Sequence, residues 1–211
     1  MVIGLGRFGG SVARELAGRG SEVLGIDSDP RIVQDYADDL THTAVANTTD
    51  EDAMRQLGVA DFQHAVVGIG TDLESSILTT SLLVDFQIRD IWAKAVSRRH
   101  GRILQRIGVH HVVLPEYEMG ERVAHLVTGR MLDYLEFEND YALVKILAPA
   151  ETVGRTLSDS GLRGRYGVTV VAIKRPDKDF THAAPDTVIG RDDILIVAGT
   201  REAVEGFTDR V

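Results

Sequence analysis

The chain contains no cysteine, which excludes disulfides and thiolate metal sites and fits a cytoplasmic protein. It has no apolar run near the roughly 18–20 residues that span a bilayer, and no signal-peptide pattern precedes its first motif. It is also short of positive charge. With 23 Lys and Arg against 32 Asp and Glu, the net charge is −9, and such a surface repels nucleic acid and anionic lipid. The densest basic stretch, Arg98, Arg99, His100, Arg102 and Arg106, is spaced by Ile103, Leu104 and Ile107 without interleaved aromatics. That spacing is the wet face of an amphipathic helix, so no nucleic-acid partner is expected. Low-complexity segments and short-period repeats are absent as well. What remains is 211 residues, enough for one large domain or two modest ones with real cores.

The first part alternates two periodicities. Val23–Ile26, Thr43–Ala46, Ala65–Ile69, Ile91–Ala95 and Val112–Leu114 are short, apolar and rich in β-branched residues. Between them lie Ser11–Arg19, Pro30–Asp39, Glu51–Leu57, Ser75–Phe86 and Arg99–Ile107, each with apolar positions at helical spacing. Strands alternating with helices predict parallel βαβ units and a Rossmann-type doubly wound sheet of about six strands. The first strand, Met1–Ile3, is short against a typical ~5–6 residues, so the natural chain is expected to begin several residues earlier. Beyond Met119 the pattern changes to one longer helical stretch, Met119–Leu132, and then an acidic break, Glu136–Asp140. The remainder reads as strand Ala142–Leu147, helix Thr156–Leu162, strand Val168–Ile173, turns at Pro176–Asp179 and Gly190–Asp193, strand Ile194–Ala198 and a terminal helix. The expected organisation is a Rossmann domain over 1–118, a crossover helix and linker over 119–138, and a small α+β domain over 139–211.

The most informative stretch is VIGLGRFGG, Val2–Gly10, with the pattern Gly4-x-Gly6-x-x-Gly9. Gly4 permits the tight turn, Gly6 lets backbone approach phosphates, and Gly9 lets the helix pack on the strand. The helix opening near Phe8 offers free N–H groups and a positive dipole end to an anion. Asp27, about 20 residues further on, ends the second strand, where it accepts hydrogen bonds from ribose hydroxyls and disfavours a 2′-phosphate. A free 2′-hydroxyl is common to NAD, ATP, ADP and AMP, so these stay open.

Other residues refine the site. Arg7 is either a cationic fork beside the phosphates or a surface arginine of the first helical turn. Ser28 follows Asp27. Ala46, Asn47 and Thr48 end the third strand, where they contact the adenine or ribose or else serve as caps and turns. The loop GIGTDLESS carries Gly68 and Gly70 and could floor the pocket. Lys94, ending the fifth strand, meets a phosphate or a carbonyl or is simply solvated. Glu116 follows the last strand, at the sheet edge where such folds bind ligands. There it either bridges to phosphate through Mg²⁺ or Ca²⁺ or begins a helix as an exposed acid. A catalytic set is not legible: the seven histidines are scattered, His110 and His111 point to opposite faces of a strand, and no nucleophile–base pair stands out.

These motifs, together with IWAKA (Ile91–Ala95), VLPE (Val113–Glu116), RYGVTVVAIKR (Arg165–Arg175) and DDILIVAG (Asp192–Gly199), give a chain that resembles the RCK/KTN family. More narrowly, it is similar to the Trk/Ktr-type cytosolic gating subunits of bacterial potassium uptake. The resemblance implies a non-enzymatic regulator, peripheral at the inner face of the membrane. It implies dimers assembled into an octameric ring beneath a potassium-translocating membrane subunit, with ATP and ADP competing for one pocket. It gives phosphates to Gly4–Gly9, ribose to Asp27 and the terminal phosphate of a neighbouring subunit to Arg7. Glu116 then helps hold a cation, Mg²⁺, Ca²⁺ or Na⁺, at the dimer interface, Ser75–Phe86 lies in assembly contacts, and Met119–Leu132 joins the domains. Some family members bind cyclic di-AMP between their second domains. Arg163, Tyr166 and Pro185 fall at matching positions, although Gly161 and Thr169 depart from the residues common in binders. The competing expectation is an NAD(H)-dependent oxidoreductase or an NAD(H)-sensing regulator.

Overall fold

The computed structural model describes residues 1–127 and 129–209. Thr128, inside the stretch read as one helix, and Arg210 and Val211, at the end of the expected second domain, lie outside the described residues. The chain divides into two compact units, Met1–Glu116 and Tyr117–Val211.

In the first unit, strands β1 (Val2–Ile3), β2 (Leu24–Asp27), β3 (His42–Val45), β4 (His64–Val67), β5 (Asp90–Lys94) and β6 (His111–Val113) form one parallel sheet. Its order is β3-β2-β1-β4-β5-β6, the doubly wound arrangement expected from alternating periodicities. Helices α1 (Arg7–Gly18), α2 (Pro30–Asp35), α3 (Glu51–Gln56), α4 (Leu73–Asp85) and α5 (Arg98–Ile107) make the crossovers. Strand alternation splits the core in two. Val2 and Leu5 pack with Ala13, Val23 and Leu40 on one face, while Ile3, Ile26, Val67 and Ile91 pack with Met54, Leu83 and Leu104 on the other. Burying both faces explains why these strands read as continuous apolar runs. One detail of the basic stretch is corrected: Arg98, Arg99, Arg102 and Arg106 are exposed, but His100 is buried under α5 beside Leu104.

Helix α6 (Pro115–Val127) begins four residues before the predicted Met119, because Pro115 is favoured in a first turn. The acidic stretch is not a break. Strand β7 (Asp133–Phe137) pairs antiparallel with β8 (Tyr141–Leu147), turning through Asn139 and Asp140 at φ 61° and 60°, a conformation that Asn and Asp tolerate. The predicted helix Thr156–Leu162 is two short ones, α7 (Leu157–Ser160) and α8 (Leu162–Tyr166), broken at Gly161. Strand β9 (Thr169–Lys174) turns into β10 (Phe180–His182), and β11 (Ile194–Thr200) leads to α9 (Arg201–Thr208). The sheet order is β10-β9-β11-β8-β7. Its inner face, including Val144, Ile146, Leu195 and Val197, is covered by Leu162, Val204 and Phe207.

Candidate functional site

The parallel sheet changes direction of winding between β1 and β4, and a cleft of about 550 Å³ opens beyond the carboxyl ends of the strands there, where open α/β sheets take ligands. Gly4 leaves β1 at φ +82°, a left-handed conformation natural only to glycine. A Cβ on Gly9 would lie 2.0 Å from the Gly4 carbonyl oxygen, and one on Gly68 would lie 2.8 Å from the same atom. Gly9 and Gly68 therefore let α1 and the loop after β4 close on the turn. Gly6 differs. A Cβ there meets nothing within 4 Å, which leaves its backbone facing open space in the cleft.

Among α1 to α5, only α1 opens without a side-chain cap. Asp29, Asp50, Asp72 and Ser97 cap α2, α3, α4 and α5 through their side chains. Gly6 offers α1 no side-chain cap, and its first turn holds no acid. The first-turn N–H groups and the positive dipole end of α1 favour an anion at this position. Beside them, Asp27 Oδ2 accepts from the Leu5 N–H at 2.7 Å and Oδ1 from the Asp29 N–H at 2.9 Å. Two backbone donors from two loops thus fix this carboxylate at the cleft wall.

Cations line the other side. Arg7 is exposed at the mouth. Lys94, expected to be solvated if it meets no ligand, has a side chain only 13% exposed, and its Nζ lies 2.7 Å from Glu116 Oε1 and 5.9 Å from the centre of the Phe8 ring. Glu116 itself is 66% exposed. The hydrogen bond from Lys94, then one from the Glu116 backbone N–H, and to a lesser degree the charges of Lys94 and Arg7, hold its carboxyl below the usual range. Glu116 is thus paired with an ammonium, and among the described residues no group of three or more His, Asp or Glu side chains is placed to hold a metal ion.

Of the residues expected at the site, Gly4, Gly6, Arg7, Phe8, Asp27, Ser28, Asn47, Thr48, Gly68, Gly70, Lys94 and Glu116 line this cleft. Gly9 and Ala46 do not: Gly9 lies beneath the loop, and Ala46 packs against the core. Asn47 Oδ1 accepts from the Thr49 N–H and hydroxyl, and the Thr48 hydroxyl lies 2.8 Å from that of Thr79 on α4. Both side chains thus have structural employment as well. Ile32, Ile69, Thr71, Asp72, Ser75 and Val96 also line the cleft. Four of these sit in the GIGTDLESS loop, but Ile32 and Val96 carried no local signal.

In the second unit Arg163 and Pro185 line a cleft of about 520 Å³. Tyr166 is not among its lining residues. Its hydroxyl donates to Glu151 Oε1 at 2.9 Å, and its ring packs 5.1 Å from that of Phe207. Arg163 Nε donates to the Thr169 hydroxyl at 3.1 Å.

The histidines form no catalytic set in the cleft. The Nδ1 of His110 accepts from the Ile91 N–H, whereas His111 stacks on Trp92 and joins His64 at the carboxylate of Asp90. His64, Asp90 and His111 are the first residues of β4, β5 and β6, so their cluster lies at the opposite edge of the sheet from the cleft.

Fold and cleft placement together define a Rossmann-type domain followed by a small antiparallel α+β domain. Residues 1–115 match the TrkA-N domain and residues 141–211 the TrkA-C domain, and the chain belongs to the Trk/Ktr family of potassium-uptake proteins that carry these two domains. It is 40% identical over 211 residues to the Ktr system potassium uptake protein C of Bacillus subtilis, covering all of this chain and 96% of that one. It is 35% identical over 207 residues to protein A of the same system and organism, covering 98% and 93%. Among solved structures, the GsuK RCK domain superposes with a TM-score of 0.67 at 17% identity, over 99% of this chain and 46% of that one. The GsuK channel bound to NAD superposes at 0.65 and 16%, over 96% and 37%. No helix among the described residues is long and apolar enough to cross a membrane.

Proposed function

We propose that the chain is a nucleotide-binding regulatory subunit, not an enzyme, that gates a membrane potassium-uptake protein in response to ATP and ADP. In this reading the first unit is the sensor and the second is the regulatory module. Subunits assemble as dimers in an octameric ring at the cytoplasmic face of the membrane partner. The observation that carries the reading is the uncapped, acid-free amino end of α1, opening on a cleft that also holds Asp27, Arg7 and Lys94. An adenosine phosphate fits this set: ribose hydroxyls to Asp27, inner phosphates to the Gly6 backbone, and terminal phosphates toward the cationic side. Arg7, exposed at the mouth, reaches the terminal phosphate of a neighbouring subunit, and Glu116 shares a divalent cation or Na⁺ with it. A switch needs contacts that differ between its two ligands, and the third phosphate supplies them.

A second reading, NAD(H) sensing, is favoured by one specific observation: the GsuK channel, which shares the fold, is a structure bound to NAD, and Asp27 serves either adenosine ribose. In the second unit, cyclic di-AMP is a further candidate ligand for the cleft that holds Arg163 and Pro185, with Tyr166 joining only after leaving Glu151.

Isothermal titration of the purified protein with ATP, ADP and NADH, with oligomer mass measured in parallel, tests the assignment. Tighter binding of both adenosine phosphates than of NADH is expected. The reverse order would transfer the site to NAD(H), and turnover of a redox substrate would overturn the regulatory reading.

A further inference from the structure

The ion pair between Lys94 and Glu116 is lopsided. The side chain of Lys94 is only 13% exposed, with its Nζ 5.9 Å from the centre of the Phe8 ring and near Gly70, whereas the side chain of Glu116, which neutralises it, is 66% exposed. The covered stem of Lys94 restricts the water around its ammonium, which makes a counter-charge valuable there. Glu116 keeps most of its water and can leave the pair with little loss. The pair stands near Phe8 in the first turn of α1, which has no side-chain cap and no acidic residue and whose N–H groups favour an anion.

We propose that Glu116 masks Lys94, acting as an internal competitor that a terminal phosphate must displace. The inference rests on the nucleotide reading above and adds a determinant of affinity to that site. With Glu116 in place the charge of Lys94 is neutralised, so a single-charge anion gains little from this ammonium in the apo cleft. A terminal phosphate, with nearly two charges and several acceptor oxygens, satisfies the ammonium better than one carboxylate does. Its arrival breaks the pair and frees Glu116, which turns to the shared cation where one is present and to solvent in its absence. Direct repulsion between Glu116 and phosphate would weaken binding too, but that effect does not pass through Lys94. The two mechanisms separate in a double-mutant cycle.

The experiment is titration of ADP, in EDTA to remove divalent cations, into the wild-type protein, Glu116→Gln, Lys94→Met and the double variant. Masking predicts that Glu116→Gln tightens ADP binding about three- to tenfold and that this gain disappears in the Lys94→Met background. An equal gain in both backgrounds, or no gain in either, overturns masking while leaving the nucleotide site intact. Failure of the wild-type protein to bind ADP overturns the site itself. Should Lys94→Met lose its circular dichroism signal, Lys94→Gln, which keeps a polar tip in the same enclosure, takes its place in the cycle.

Discussion

The N–H of Leu5 donates to Asp27 Oδ2 at 2.7 Å, so the carboxylate that ends β2 also holds the loop that opens α1. A second donor, the Asp29 N–H, occupies the other oxygen. One side chain thus fixes two loops and faces the cleft. Replacing Asp27 with Ala leaves two partly buried donors without their acceptor, which costs about 1–3 kcal/mol. Asp27→Ala is expected to lower the stability of the first unit by that amount in urea unfolding and to abolish binding of ATP, ADP and NADH alike. Asp27→Asn, which retains one acceptor oxygen, should recover part of the stability but little of the binding. Retention of full nucleotide affinity by Asp27→Ala would remove the ribose assignment.

The glycines of the same loop separate folding from binding. At Gly9 an added methyl would lie 2.0 Å from the Gly4 carbonyl oxygen, an overlap that only a shift of α1 relieves. At Gly6 the methyl meets nothing within 4 Å, and φ is −62°, acceptable to alanine. Gly9→Ala is therefore expected to fold poorly, losing about 1–3 kcal/mol or more, as overpacked sites do. Gly6→Ala should match the wild-type melting temperature to within a degree or so while binding ADP at least about tenfold more weakly, because its methyl occupies the approach of the phosphate. Differential scanning fluorimetry with and without ADP reads both effects on one instrument.

Arg7 is exposed, so its removal is expected to leave the isolated fold unchanged. A charge-assisted hydrogen bond to phosphate is worth about 1.5–3 kcal/mol. Arg7→Ala should therefore weaken ATP binding roughly ten- to a hundredfold and ADP binding less, narrowing the preference between them, with NADH affinity unmoved. Equal losses for ATP, ADP and NADH would place Arg7 at an inner phosphate and deprive the switch of its third-phosphate contact.

How far the sequence carries depends on whether the governing interactions are local. The glycine loop, Asp27 and the strand–helix alternation were legible because each is a short-range pattern: a turn, a cap, a two-sided apolar strand. The hairpin of β7 and β8 was not, since Glu136 and Glu138 made Asp133–Phe137 resemble a linker, and only pairing with Tyr141–Leu147 makes it a strand. The pairing of Lys94 with Glu116 spans 22 residues and two loops; each was visible at a strand end, but their mutual neutralisation was not. Ala46 was drawn into the site by proximity to Asn47, yet strand alternation turns it toward the core. His100 belonged by spacing to a row of exposed arginines, but its ring faces inward toward Val96.

That inward histidine sets an acid limit on stability. The side chain of His100 is buried, its Nδ1 accepts from the Val96 N–H at 3.4 Å, and its Nε2 has no hydrogen-bond partner among the described residues. Burial lowers its pKa from the ordinary 6.5 because a charged ring there would lose its water without gaining a partner. The unfolded chain therefore takes up the proton first as the solution is acidified. Stability linked to His100 is complete above about pH 6.5, declines as the pH falls below that value, and levels off beneath the folded-state pKa. Each tenfold loss of proton affinity on folding corresponds to about 1.4 kcal/mol. Urea midpoints at pH 8, 6.5 and 5 should show the wild-type protein losing more stability on acidification than His100→Gln, even if the variant starts lower. Parallel losses in the two proteins would assign the acid sensitivity to the surface carboxylates and acquit the buried ring.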